Sequence, residues 1–289
     1  MKVQFWGARA SIPTPSRQDF STSRYGGNTT CVSVSIPGQR VILDAGSGLR
    51  ALGRRLMSEP DLRASFFFTH LHWDHIQGFP FFIPAYKADC VLDLYGERAT
   101  QPGGLRDALQ MQQQEPFFPL PLVRMAADMR FHDLAAGVPV ELPGESSKLL
   151  VTPVPIHHPG GCLGYRIEEA AGERRAAFFF ATDIEHLEDE RLQLKDAARG
   201  VAVLAYDAQY SREEYEGRDG WKRQGWGHST WQQGVREALA AGARRLVLIH
   251  HDPQHDDWEI ARIESEARRE AQSLGLQVDA AYETLEIEI

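Results

Sequence analysis

Three histidines and an aspartate crowd positions 70–75, directly after the apolar run 65–68. Residues two apart on a strand share a face, so His70 and His72 are expected to point the same way, with Asp74 and His75 following on the loop. Imidazoles and a carboxylate at this spacing suit two adjacent divalent ions. Zinc is the best chemical match, with manganese and iron as alternatives. A solvated histidine-rich loop is the competing interpretation.

A centre for two ions needs further ligands, and three more apolar segments end in suitable residues. The run 151–156 leads to His157 and His158, the run 177–182 leads to Asp183, and the run 245–249 leads to His250, followed by His251. Taken singly, Asp183 could cap a helix and His250 could belong to the core. Their repeated position after strands favours a metal site at the edge of a sheet.

Composition limits the class of protein. The 289 residues contain 31 Lys and Arg against 40 Asp and Glu, and the net charge of −9 argues against a broad nucleic-acid surface. Three cysteines without paired spacing indicate no disulfide framework. The start of the chain reads as a strand and not as a signal peptide, and no apolar run is long enough to span a membrane. These features predict a cytoplasmic protein.

The positions of these residues depend on alternating strands and helices. A single domain over 1–289 is expected, with two sheets packed face to face, helices outside, and an ordered insertion or lid around 97–135. Strands are predicted at 2–6, 30–36, 40–44, 65–69, 90–95, 147–154, 162–168, 176–182, 201–206 and 244–249. Helices are predicted near 48–58, 102–114, 187–198, 229–241 and 256–273.

Three further segments, 25–30, 43–48 and 207–210, together with the histidine motif, resemble the metallo-β-lactamase fold superfamily in its phosphodiesterase branch. That branch includes cyclic-nucleotide phosphodiesterase-like proteins and the ribonuclease Z endonuclease of tRNA 3′ processing. The landmarks run from the first strand to residue 257. The resemblance implies an α/β fold, the αββα four-layer sandwich with two mixed β-sheets. Ala10 departs from the pattern, because a glycine is usual there.

The resemblance also implies the ligands of two metal ions and a possible homodimer. One ion would be held by His70, His72 and His158. The other would be held by Asp74, His75 and His250, with Asp183 bridging the two. Whether His157 or His251 replaces its neighbour stays open.

Two metal ions can activate a water for attack on a phosphodiester, but the leaving alkoxide also needs a proton. The best donor in the sequence is His228, just before a predicted helix, and a histidine at this place resembles the phosphodiesterase branch. We expect Asp74 to pair with it, which makes Asp74 and His228 the catalytic candidates. A role of His228 in the turn alone is the alternative.

Three weaker candidates surround this site. Asp44 ends a predicted strand and could orient a ligand histidine or cap the next helix. Asp207 is expected either behind the ligands or against the substrate. Asn28 is better suited to fixing a turn. Trp221, Trp226 and Trp231, with Phe117 and Phe118, could stack a base, although core packing or a dimer contact is the commoner use of such residues.

The leading expectation is a hydrolase that opens a small 3′,5′-cyclic nucleotide. A ribonuclease Z-like endonuclease is the first alternative, but segment 97–135 carries four arginines against five carboxylates, which is no basic arm for RNA. The prediction is therefore a small-molecule phosphodiester substrate and no nucleic-acid partner. Hydrolysis of a lactone or a thioester is also compatible with the resemblance, as is a non-catalytic sensor that kept the fold.

Overall fold

The computed structural model describes residues 1–171, 174–186 and 191–289, and in these ranges fourteen strands form two seven-stranded sheets. The first sheet has the order β14 (Glu286–Glu288), β1 (Lys2–Gly7), β2 (Cys31–Ile36), β3 (Gln39–Leu43), β4 (Arg63–Phe67), β5 (Val91–Gly96) and β6 (Asp128–Asp133). The second has the order β13 (Gln277–Ala280), β12 (Arg245–Ile249), β11 (Val203–Asp207), β10 (Arg174–Ala181), β9 (Cys162–Ala171), β8 (Lys148–Ile156) and β7 (Val140–Pro143).

Both sheets are mixed in the same way. In the first, β14 to β3 pair antiparallel and β3 to β6 pair parallel. In the second, β7 to β10 pair antiparallel and β10 to β13 pair parallel. The parallel strands of one sheet end at the same edge, and this is where polar residues that follow each strand can meet.

Helices cover the outer faces of the two sheets. The described helices are α1 (Leu49–Leu56), α2 (Trp73–Ile76), α3 (Leu105–Gln112), α4 (Arg191–Ala197), α5 (Arg212–Tyr215), α6 (Trp231–Ala241) and α7 (Asp257–Gln272). Buried side chains of α1 and α3 pack on the first sheet, and those of α4, α6 and α7 pack on the second. A third apolar cluster fills the space between the sheets, with Phe5 and Phe67 from one sheet and Phe178 and Phe180 from the other. The predicted αββα sandwich is confirmed.

The sequence predicts the elements better than their ends. All ten predicted strands are present with ends shifted by a few residues, but β6, β7, β13 and β14 were not predicted. The predicted helix 187–198 corresponds to α4, and its residues 187–190 lie outside the described ranges. Helix α6 begins after Thr230, whose Oγ1 accepts a hydrogen bond from the Gln233 N–H, and it ends at Gly242 with a left-handed φ of 67°.

The segment 97–135 packs on the first sheet. It holds α3 and the edge strand β6, and Leu105 and Leu109 are fully buried. Its action as a lid stays a prediction. Among the helices of the described residues, none combines the length and the apolar character that a membrane crossing requires.

Candidate metal centre

The seven proposed ligands converge at the edge where the parallel strands end. His70 and His72 follow β4, whereas Asp74 and His75 lie on the short helix α2 and not on a loop as predicted. Ligand atoms lie within 4.8 Å of one another in five overlapping groups, and three of these contain only the proposed ligands. These three are His70, His72 and His158; Asp74, His75 and His250; and His70, His75 and Asp183. His228 belongs to the other two.

In the first group, two imidazole nitrogens face each other. His158 Nε2 lies 3.1 Å from His72 Nδ1. The other nitrogen of His158, Nδ1, lies 2.8 Å from the Gly227 carbonyl oxygen, which can only accept, so Nδ1 carries the proton. The lone pair of His158 Nε2 is therefore directed toward His72, an arrangement that a shared cation would satisfy.

In the second group, the carboxylate of Asp74 lies between His75, which follows the first sheet, and His250, which follows the second. Asp74 Oδ2 lies 3.3 Å from His75 Nε2 and 3.2 Å from His250 Nε2. The same oxygen accepts a hydrogen bond of 2.8 Å from the Ser11 N–H, which fixes the carboxylate. Asp74 is thus positioned as a ligand and not as a group that faces solvent.

Asp183 lies between the two groups. Its Oδ1 is 3.8 Å from His70 Nε2, and its Oδ2 is 3.1 Å from His75 Nε2 and 3.4 Å from His250 Nε2. The residue is almost fully buried and follows β10. One carboxylate with an oxygen directed toward each group has the geometry of a bridging ligand.

Three residues in or behind the cluster have a left-handed backbone conformation. Asp44, Asp183 and His250 have φ values of 58°, 53° and 62°. Each stands directly after or close to a strand end, and a non-glycine residue in this region carries a small conformational cost that packing must offset. The strained backbone turns these side chains from the strand direction into the cluster.

Asp44 orients the histidines from behind. Its Oδ2 accepts a hydrogen bond of 2.8 Å from His75 Nδ1, and its Oδ1 accepts one of 2.8 Å from the Thr69 N–H. The Thr69 hydroxyl also donates to Asp44 and can then accept from His70 Nδ1 at 3.0 Å. Both rings consequently carry the proton on Nδ1 and direct a lone pair on Nε2 into the cluster. Of the two roles left open for Asp44, orientation is the one observed; α1 has no side-chain cap.

The donor set fits a divalent cation. His70 Nε2 is buried and has no hydrogen-bond partner among the residues that the structure describes. Burial by itself would lower the pKa of His250, but Asp183, Asp207 and Asp74 raise it to about 10. Burial also lowers the pKa of His70, assisted by the neighbouring His75. His70 is thus a neutral donor, and the carboxylates that raise the pKa of His250 supply the negative charge that attracts a metal ion in place of a proton.

His228 does not pair with Asp74; the structure pairs it with Asp207. His228 Nδ1 lies 2.9 Å from Asp207 Oδ2. The prediction of Asp74 as its partner is wrong, because Asp74 is held by His75, His250 and the Ser11 N–H on the other side of the cluster. The His228 side chain is 13% exposed and its ring lies 5.0 Å from that of His250. It therefore borders the cluster from the solvent side.

The remaining sequence candidates take supporting positions. Asn28 binds Glu283 and Ser47 and so fixes a turn. His158 and His250 belong to the cluster, whereas their neighbours do not: His251 Nε2 donates to the Ala281 carbonyl oxygen. Burial, with Arg9 nearby, lowers the pKa of His251 to about 3.

Glu185 supports the loop beside the cluster, which the sequence analysis did not predict. Its carboxylate accepts hydrogen bonds from the N–H groups of Gly225 and Gly227 and from the Tyr215 hydroxyl, at 2.7, 2.9 and 2.6 Å. It thereby holds the loop that carries His228. No pattern marks Glu185, since its partners lie far along the chain.

A sandwich of two mixed sheets with a His/Asp cluster at the strand ends defines a metal-dependent hydrolase of the metallo-β-lactamase fold. The chain belongs to the β-lactamase superfamily domain family, whose model matches residues 39–251. The resemblance seen in the sequence is thus confirmed.

Known proteins similar to this chain include ribonucleases. Ribonuclease BN of Cronobacter sakazakii is 26% identical, over 93% of this chain and 94% of the relative. Among solved structures, the metallo-β-lactamase fold protein YhfI of Bacillus subtilis has a TM-score of 0.68 at 16% identity, covering 100% of this chain and 98% of the other. The short form of human tRNase Z has a TM-score of 0.66 at 18% identity, covering 100% and 99%.

These relatives correct one prediction. The charge of the chain and of segment 97–135 argued against a nucleic-acid partner, but relatives matched over almost the whole chain are named as ribonucleases. The argument was wrong because net charge averages over the surface, while a nucleic acid needs only a local arrangement of contacts.

Proposed function

We propose that this chain hydrolyses phosphodiester bonds with two divalent metal ions, zinc being the best match to a nitrogen-rich donor set. His70, His72 and His158 would hold one ion, Asp74, His75 and His250 the other, and Asp183 would bridge them. When bound, such a pair lowers the proton affinity of a shared water and neutralises charge on the phosphoryl oxygens.

The observation that carries the proposal is the pairing of His228 with Asp207. Because Nδ1 of His228 donates to Asp207, its Nε2 is the nitrogen that can pass a proton to a leaving oxygen. A phosphodiester with an alkoxide leaving group requires such a proton.

The surroundings of Asp207, behind His228, stabilise its ionised form. Three backbone N–H groups donate to its carboxylate, those of Asp183, Gln209 and Ser229, at 3.0, 3.0 and 3.1 Å. Burial would raise the pKa of Asp207, but His228 and His250 lower it to about 2. The anion fixes the ring of His228 in one orientation.

A cyclic 3′,5′-nucleotide is the first substrate to test and an RNA is the second. Two clefts reach the cluster, one of about 450 Å³ beside His70 and His72 and one of about 790 Å³ beside His228. Both volumes suit a small nucleotide. The ribonuclease relatives support RNA as the second candidate.

The test is a substrate panel on protein whose metal content has been measured. The panel contains bis(p-nitrophenyl) phosphate, the 3′,5′-cyclic forms of AMP, CMP and UMP, a precursor tRNA, and the β-lactam nitrocefin. We expect phosphodiester cleavage that chelation abolishes and metal restores. Turnover of nitrocefin with no phosphodiester cleaved would overturn the proposal.

Two matched variants test whether metal binding depends on the histidines of the cluster and not on histidines elsewhere. His72→Ala removes one proposed ligand and should lower both metal content and cleavage. His132→Ala removes a histidine that pairs with Asp93 at the far edge of the first sheet and should change neither. Equal metal content and equal cleavage in the two variants would contradict the assignment of the cluster.

A further inference from the structure

A wide cleft extends from His228 away from the His/Asp cluster. Its volume is about 790 Å³, and its walls include Gln209, Tyr210, Trp221, Arg223 and Trp226. Because His228 is the group that would protonate the leaving oxygen, this cleft lies where the leaving alcohol must be. Its lining therefore selects among leaving groups.

Two indoles give the cleft an exposed aromatic surface. Trp221 and Trp226 are 70% and 52% exposed, whereas Trp231, the third member of the predicted aromatic cluster, is buried in the core. Each exposed indole leaves apolar area in water that a flat ligand could cover. Base–aromatic stacking contributes about 1–3 kcal/mol for each base.

The loop that carries both indoles is held in place without a ligand. Glu185 accepts from the N–H groups of Gly225 and Gly227. Arg223 donates to the Asp219 carboxylate at 2.6 and 2.9 Å and to the Trp221 carbonyl oxygen at 2.8 Å. A surface fixed in this way loses little conformational entropy when it binds.

A buried amide in the wall of the cleft holds two neighbouring side chains. Gln209 is 4% exposed, and its Nε2 donates to the Tyr210 hydroxyl at 3.0 Å and to Asp252 Oδ2 at 3.2 Å. An ionised carboxylate can only accept, so Asp252 fixes the orientation of the amide. The Oε1 atom is shielded from the cleft, so Gln209 shapes the wall and is not a contact for a ligand.

The charge of the cleft excludes a second phosphate. Glu214, Asp219 and Asp252 line it against a single guanidinium, that of Arg223, which Asp219 already neutralises. An anionic group would be repelled here. A neutral aromatic ring, such as a nucleobase on its sugar, can cover the two indoles without this repulsion.

We propose that this cleft binds the leaving nucleoside of the substrate, with its base on Trp221 and Trp226. The inference rests on the proposed function and narrows the substrate class to phosphodiesters whose leaving alcohol belongs to a nucleoside. In a cyclic nucleotide that alcohol is part of the same nucleoside. In an RNA it belongs to the nucleotide on the leaving side, whose other phosphate must lie outside the cleft.

The experiment measures binding of free adenosine, cytidine and uridine to the metal-loaded protein by calorimetry, so its result does not depend on turnover. We expect saturable binding of at least one nucleoside, weakened about tenfold or more by Trp221→Ala combined with Trp226→Ala. The matched control is Trp258→Ala, which removes an indole that is 71% exposed on α7 and outside the cleft, and it should leave binding unchanged.

Absence of saturable binding, or equal binding by the double tryptophan variant and the Trp258→Ala control, would overturn the inference. Cleavage of bis(p-nitrophenyl) phosphate without nucleoside binding would support the proposed function and contradict the nucleoside site in the cleft. Nucleoside binding that depends on both tryptophans, in a protein that cleaves no phosphodiester, would support the cleft and remove the proposed function.

Discussion

His228 Nδ1 and Asp207 Oδ2 lie 2.9 Å apart at the border between the His/Asp cluster and the open cleft. Asp207 is fully buried, whereas His228 reaches solvent through the cleft. The pair therefore joins a fixed anion in the interior to a ring that a substrate can touch.

Replacing Asp207 with Asn should slow the cleavage of poor leaving groups far more than that of good ones. We expect kcat to fall about 10²–10⁴-fold for an unactivated cyclic nucleotide, the usual contribution of a general acid, and only a few-fold for bis(p-nitrophenyl) phosphate. Leaving p-nitrophenolate needs no proton. His228→Ala should show the same pattern and retain metal. An equal loss on both substrates would contradict the proton-transfer role.

Asp44→Asn should weaken metal binding while preserving the fold. Asparagine tolerates the left-handed φ of 58° at this position, so the backbone can stay as it is. The neutral amide no longer holds His75 through a charged acceptor, and we expect metal affinity to drop about 10–100-fold. Competition with a chromophoric chelator measures it. The control is Asp93→Asn, which alters the carboxylate that pairs with His132 near the edge of the first sheet. This variant should bind metal normally.

Arg9→Met should destabilise the protein strongly. The guanidinium is 1% exposed and donates to the carbonyl oxygens of Gly26, Asp252 and His255. Methionine fills much of the space but leaves these acceptors without a donor, at a cost of about 3 kcal/mol or more in the free energy of unfolding. Urea denaturation measures the loss. Arg17→Met, at an exposed position, should change stability by less than about 0.5 kcal/mol.

The stabilising effect of Glu214 should depend on pH. Burial would raise the pKa of this carboxyl, but a hydrogen bond with His255 at 2.9 Å and the Ser211 contacts lower it to about 2. A lowered pKa means that the ionised form stabilises the fold. The contribution is complete above the ordinary pKa of glutamate and disappears as the pH falls toward 2.

Glu214→Gln should accordingly lose about 1 kcal/mol of stability near pH 7, a figure reduced for the partial exposure of the side chain. The difference in the free energy of unfolding between this variant and the unaltered protein should shrink as the pH falls from 4.5 to 2. Denaturant unfolding at pH 7, 4 and 3 tests this. Glu213→Gln, at the exposed neighbour, should show no such dependence. A gap that stays constant with pH would mean that the Glu214 carboxylate does not stabilise the fold through its charge.

The apolar strands and the residues that follow them were determined by the sequence alone. The strands β4, β10 and β12 contain runs of buried residues, and β8 alternates between buried and half-buried ones. Each is followed by a polar ligand candidate, and local pattern is sufficient to recognise this. The four strands that the pattern missed, β6, β7, β13 and β14, are the outermost strands of the two sheets. Edge strands are short and half solvated, so their apolar signal is weak.

The partner of His228 was decided only by the tertiary structure. Asp183 follows β10, Asp207 ends β11 and His250 follows β12, and the parallel order β10–β11–β12 places Asp207 between the other two. Distance along the chain cannot reveal that neighbourhood, because the order of strands in a sheet results from packing of the whole domain. The support of the His228 loop by Glu185 arises in the same way, from segments that meet only after the two sheets have assembled.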